Sequence, residues 1–188
     1  MPTGSGPSAD RGEDDLPGVR VHFDGACQTI GGRRIAAYGF WLEGEGGLRH
    51  EEWGLAVPPG HPRATNNVAE YVAAIRPLEW LVARPYSGDV EMIGDSQLVV
   101  RQVTGEYRVR EEHLTAYHAR LAQLVSRFRR VEFRWVRREE NPRADLLSKR
   151  AIEAALDRPR TRSSPGDTGS RETDADPGAP TDQFHRTV

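Results

Sequence analysis

The chain holds a single cysteine, Cys27, so no disulfide can form within it, and a reducing compartment suits it. No run approaches the roughly 18 consecutive apolar residues of a membrane-spanning helix. The amino terminus is polar and acidic, unlike a secretory signal. These absences predict a soluble protein of the cytoplasm with no membrane association. Lysine is almost missing as well: Lys149 stands alone among 26 basic residues. Arginine favours bidentate phosphate contacts, but the codon usage of a GC-rich genome explains so extreme a bias more simply.

Residues 1–17 contain no aromatic side chain and set one Arg against four acids. From Asp157 onward the chain is mostly Arg, Ser, Thr, Asp, Gly and Pro with a lone Phe184. Neither end has enough apolar surface to offset the entropy of ordering, so 1–17 and 158–188 are expected to be disordered tails. One domain over 18–157 remains, long enough to bury a real core. The first 17 residues carry −3 and those from Asp157 onward −1; the chain totals −2, which leaves +2 between them. A mildly basic surface is compatible with a polyanionic partner, without requiring one.

Within that middle, "VRVHFDGA" alternates apolar and polar residues with the period of a half-buried strand. "AAYGFWLE" and "LRHEEWGLAV" read as two more strands joined by "GEGG", and "VPPGHPRAT" reads as loop. An apolar stripe from Val68 to Leu81 predicts a helix over about 67–83, which Pro77 should kink or split. "DVEMIGD" is a fourth strand, "SQLVVRQV" a short helix and "EEHLTAYHARLAQLVSRF" a longer one. "VEFRWV" is a fifth strand and "PRADLLSKRAIEAAL" a last helix. The fold class is α/β, a five-stranded mixed sheet flanked by helices.

Four carboxylates, Asp24, Glu70, Asp95 and Asp145, each fall where a strand ends or a helix begins. Side chains at such points can converge on one sheet edge, where they would repel one another without a cation between them. Hard oxygen ligands point to Mg²⁺ or Mn²⁺. Each acid also has a structural reading. Asp24-Gly25 suits a turn; Asn67 and Glu70 suit a capping box; Asp95 suits an N-cap. Asp145 suits the first turn of a helix opened by Asn141 and Pro142. The case for chemistry rests on the four together.

In their order, "FDGAC", "TNNVAEY", "GDSQLVVRQVTGEY" and "REENPRAD" resemble type 1 ribonuclease H, from about Val19 to Leu156. The short link "TGEYRVREEH" is similar to the compact branch, which lacks a basic helical protrusion. The resemblance implies a ribonuclease H-like fold and an endonuclease acting on the RNA strand of RNA–DNA hybrids. It implies 5′-phosphate and 3′-hydroxyl ends. It also makes the four acids catalytic and metal-binding residues: Asp24 bridging two Mg²⁺ ions, Glu70 and Asp95 on one side, Asp145 on the other. Mn²⁺ is the expected substitute. Two such ions about 3.5–4 Å apart can clamp the attacking and leaving oxygens of an in-line displacement.

Telling RNA from DNA requires reading the 2′-hydroxyl. Carried over by motif, substrate contacts are expected at Gly25, Ala26 and Cys27, at Thr65, Asn66 and Asn67, and at Gln97. Amide side chains there can both donate and accept. A monomer is expected. Two features depart from the common pattern: Arg33 and Arg34 occupy the loop after the first aspartate, and Arg138 stands where many members carry a mobile histidine, beside Glu139. Tyr107, with Arg108 and Arg110, is a further candidate for touching the hybrid, whereas the four tryptophans are expected in the core. The rival readings are a DNA-directed nuclease of the same fold and a hybrid-binding module with weak or no catalysis. A chain trimmed to Gly18–Asp157 is expected to keep its fold and its hybrid cleavage. Loss of a cooperative thermal transition in circular dichroism would overturn the tail assignment.

Overall fold

The structure, a computed structural model, describes residues 18–157; the expectation of disordered tails falls on residues outside these. Three antiparallel strands open the fold: β1 (Val19–Ile30), β2 (Arg33–Gly44) and β3 (Arg49–Leu55). Helix α1 (Asn66–Val82) follows, then β4 (Asp89–Gly94), α2 (Gln97–Val103), α3 (Glu112–Val125), β5 (Arg130–Trp135) and α4 (Pro142–Asp157). Strand β4 pairs parallel to β1 and β5 parallel to β4, giving the order β3-β2-β1-β4-β5. The expected mixed five-stranded sheet with helices is the one observed.

Strand parity decides which helix covers which face. Tyr38, Phe40 and Leu42 of β2 join Val19, Val21 and Phe23 of β1 in the main core, beneath Tyr71, Ala74 and Leu78 of α1. Ile35 and Ala37, of opposite parity, pack against Ala151 and Ile152 of α4. The sheet is therefore enclosed by α1 with its neighbour α3 on one face and by α4 on the other. Burial of fully apolar side chains on both faces supplies the main driving force.

Several boundaries differ from those the sequence suggests. The segment after Asp24 is not a loop: β1 continues to Ile30, and Gly31 and Gly32 turn the chain at φ +57° and +77°. A two-residue turn with both φ positive matches strand twist and favours glycine. Helix α1 begins at Asn66, not Asn67, because Thr65 is its cap, with its hydroxyl accepting from Val68 N at 3.2 Å. Nor does Pro77 split the helix, which runs unbroken from Asn66 to Val82. The proline removes one backbone donor. Its neighbours Ile75, Leu78 and Leu81 are buried in the core, and that packing holds the turn together.

Gly39 marks a close approach of α4 to the sheet. A Cβ there would lie 2.4 Å from Ser148 N and 2.6 Å from Leu147 Cβ. Gly39→Ala is accordingly expected to push α4 outward at a cost of about 1–3 kcal/mol, seen as a drop of several degrees in Tm. An unchanged Tm would show that the helix does not depend on this glycine.

Candidate active site

A cleft opens where β1 outruns its parallel neighbour. Pairing between β1 and β4 ends at Phe23 and Gly94, and an aspartate comes next in each case: Asp24, still within β1, and Asp95, just past the end of β4. Glu70 arrives from the second turn of α1. Carboxylate oxygens of Asp24, Glu70 and Asp95 lie within 4.8 Å of one another. The first two acids are buried, at 2% and 7% exposure. Glu70 does not reach back to cap its own helix; it accepts a hydrogen bond from Gly25 N at 3.1 Å. That contact is possible only because residue 25 lacks a Cβ, which would stand 2.2 Å from Glu70 N. Asp95 is not the N-cap of α2, a role taken by Ser96.

The electrostatics match the crowding. Burial, together with the charges of Asp95 and Asp145, pushes Asp24 up from 3.8 to about 7 against the opposing hydrogen bond from Ser148. Burial pushes Glu70 well above its ordinary value, with Asp24 and Asp95 adding to the shift. Oδ1 of Asp95 is buried without a donor. Three acid oxygens gathered this closely, one of them lacking a donor, fit a hard divalent cation better than any arrangement of protons.

Asp145 behaves differently. It lies in the first turn of α4, as expected, but does not join the three gathered carboxylates. Arg138 Nε donates to its Oδ1 at 3.0 Å, and Lys149 Nζ sits 2.5 Å from its Oδ2. Burial works against ionisation there, yet these two cations hold its carboxyl below the usual aspartate range. The expectation of four converging acids is thus met by three, with the fourth neutralised beside them.

The same cleft is lined by Gly25, Ala26, Cys27 and Asn66 among the expected contacts. Thr65, Asn67 and Gln97 lie outside that lining. Thr65 is engaged as a cap, and Asn67 Nδ2 donates to Glu111 Oε1 at 3.2 Å. Gln97 is exposed at the start of α2. Cys27 contacts Ala64 O, and burial raises its thiol pKa, which suits a small space-filling residue rather than a reactive one.

Three residues of the site escaped the sequence reading. Ser148 is fully buried and donates its hydroxyl to Asp24 Oδ2; Lys149 and Trp135 line the cleft. Ser148 and Lys149 stand three and four residues after Asp145, the spacing that shares a helix face, and this was the signal available. Trp135 is not a core residue. It follows Val131 and Phe133 on the inward parity but ends β5 at the rim, 41% exposed, with its indole N–H donating to Asp95 O at 3.0 Å. Behind the cleft, Asn141 Nδ2 donates to Phe23 O at 2.9 Å and locks the start of α4 to β1.

Comparison with known proteins bears on this arrangement. The Reverse transcriptase-like family profile matches residues 23–151. A ribonuclease HI of Halobacterium salinarum is 38% identical over 141 residues, covering 73% of this chain and 67% of that protein. A bifunctional protein of Mycobacterium tuberculosis is 34% identical over 116 residues. The alignment covers 62% of this chain but only 32% of the mycobacterial protein, so the chain spans about a third of that relative's length. Among solved structures, LC11-RNase H1 in complex with an RNA/DNA hybrid superposes with a TM-score of 0.63 at 34% identity, covering 73% of this chain and 99% of that one. Agreement in sequence across most of the domain, and not only in fold, supports one conclusion: the chain belongs to the type 1 ribonuclease H family.

Proposed function

We propose that this chain is an endonuclease that hydrolyses the RNA strand of RNA–DNA hybrids, leaving 5′-phosphate and 3′-hydroxyl ends. The observation that carries this reading is the trio Asp24, Glu70 and Asp95, gathered within 4.8 Å on the floor of an open cleft. Those three residues would hold a divalent cation, Mg²⁺ with Mn²⁺ as a substitute, and Asp145 would contribute to a second. Bound there, such ions neutralise the carboxylates and polarise phosphodiester oxygens. The likeness to a ribonuclease solved with an RNA/DNA hybrid supports the substrate class. Action as a cytoplasmic monomer belongs to the same reading.

The chain's own groups do the positioning. Gly25 to Cys27 present strand backbone along the cleft, with Asn66 above them, where ribose 2′-hydroxyls are to be read. Gln97 flanks Asp95 from the exposed start of α2. Thr65 and Asn67 contribute contacts only by exchanging the bonds they make to Val68 and Glu111. Ser148 fixes the rotamer of Asp24, and the Trp135 indole fixes the backbone of Asp95. Arg137 and Arg138 at the rim supply cationic fork donors for phosphate.

Incubating end-labelled hybrid, double-stranded RNA and duplex DNA, each with Mg²⁺ and with EDTA, tests the reading. Cleavage confined to hybrid with Mg²⁺ is expected; cutting of duplex DNA at an equal rate would overturn it. A hybrid-binding module without catalysis would bind and leave all three intact.

Asp24→Asn is expected to lower single-turnover cleavage by roughly 10²–10³-fold or more, while hybrid affinity holds or rises. In EDTA the same variant is expected to be more stable than the parent, because a buried, repelled carboxylate is gone. The sign follows from the raised pKa. The folded protein binds the Asp24 proton more tightly than the unfolded chain, so the parent loses stability as pH climbs from 3.8 to about 7. The advantage of the variant should therefore be greatest above pH 7, worth several degrees in Tm, and absent below the ordinary aspartate range. Equal melting curves at pH 8 would show that Asp24 is not destabilised by its neighbours.

A further inference from the structure

We propose that Lys149, together with Arg138, is a tethered counter-ion that holds Asp145 apart from the other three carboxylates, so that the free protein offers a site for one divalent cation and Asp145 is released only when a polyanion draws the two side chains away. This inference rests on the reading of the cleft as a metal-dependent nuclease site.

Both oxygens of Asp145 are occupied. Oδ1 accepts from the Arg138 guanidinium, with Nε at 3.0 Å and Nη2 on the same oxygen, and Oδ2 faces Lys149 Nζ at 2.5 Å. Two positive charges thus surround one negative charge, leaving no carboxylate oxygen of Asp145 without a cationic partner. The other three acids differ: their carboxyl groups lie together with no ion pair among the described residues, and a buried Asp95 oxygen has no donor. One cleft therefore brings together a cluster of three acids without an ion-pair partner among the described residues and a fourth acid paired to protein cations.

The pairing is displaceable. The Asp145 side chain is only 15% exposed, whereas those of Arg138 and Lys149 are 61% and 46% exposed. Both side chains line the cleft in which the phosphates are to lie. Phosphate oxygens compete well for guanidinium and ammonium groups, and an ion pair with exposed cationic partners is weak enough to exchange. Ser148, one helical turn after Asp145, has its single hydroxyl proton to give either to Asp24 Oδ2 or to the Asp145 carbonyl at 3.0 Å.

The test counts ions without nucleic acid. Mn²⁺ is titrated into the full chain by calorimetry, with free Mn²⁺ followed by electron paramagnetic resonance. The parent is expected to bind about one ion and Arg138→Ala/Lys149→Ala about two at millimolar Mn²⁺. Lys149→Arg, which restores a cation, is expected to keep the parental count. A parent that binds two ions unaided, or a double variant that stays at one, overturns the proposal while leaving the nuclease reading intact. A parent that binds no ion overturns the metal site itself and the proposal with it. Circular dichroism confirms that each variant is folded, as substitution of such exposed side chains allows.

Discussion

Mutual repulsion among Asp24, Glu70 and Asp95 is the constraint around which this domain is arranged. Three carboxylate oxygens within 4.8 Å, two of them on buried residues, cost stability that the rest of the fold must absorb. The absorbing elements are identifiable. Gly25 N faces Glu70, Ser148 faces Asp24, and the long apolar contact of α1 with β1 and β2 presses Glu70 into place. None of these groups carries a positive charge. The fold thus keeps the three acids close without neutralising them, and the tension between packing and charge is what makes the cleft receptive to a cation.

The treatment of Asp145 shows the opposite solution a short distance away. Arg138 precedes α4 in a single 3₁₀ turn, and Lys149 comes from the next helical turn, so the partners approach the carboxylate from two sides. Ion pairing lowers the pKa of one acid, where burial, with the neighbouring acids adding to it, raises that of Asp24 and Glu70. A single helix, α4, carries both devices: Ser148 points to Asp24 while Lys149 points to Asp145.

Much of this was legible in the sequence, for a physical reason. Strand alternation and helical stripes are local, so the elements and their order could be read directly, and four acids at element ends marked the site. What was missed depended on partners that only the fold supplies. "ATNN" offers three consecutive cap-forming residues, and nothing local selects Thr65 over Asn67. Pro77 looked like a breaker because what holds its turn, the burial of Ile75, Leu78 and Leu81 of the same helix against the sheet, is set by the fold and not by local sequence. Trp135 has core parity, yet as the last residue of β5 it is 41% exposed. The split between Asp145 and the other acids turned on Arg138, seven residues upstream in sequence but adjacent in space.

The unequal lengths of β1 and β4 make the junction of Gly94 and Asp95 a ruler. Each residue added to a strand advances the chain by about 3.3 Å, a large fraction of the 4.8 Å that spans the three carboxylates. One inserted residue there would also turn the side chain that follows to the other face of the sheet. The gap between adjacent strand ends is set in whole residues, so this site can be altered by substitution but not by gradual lengthening.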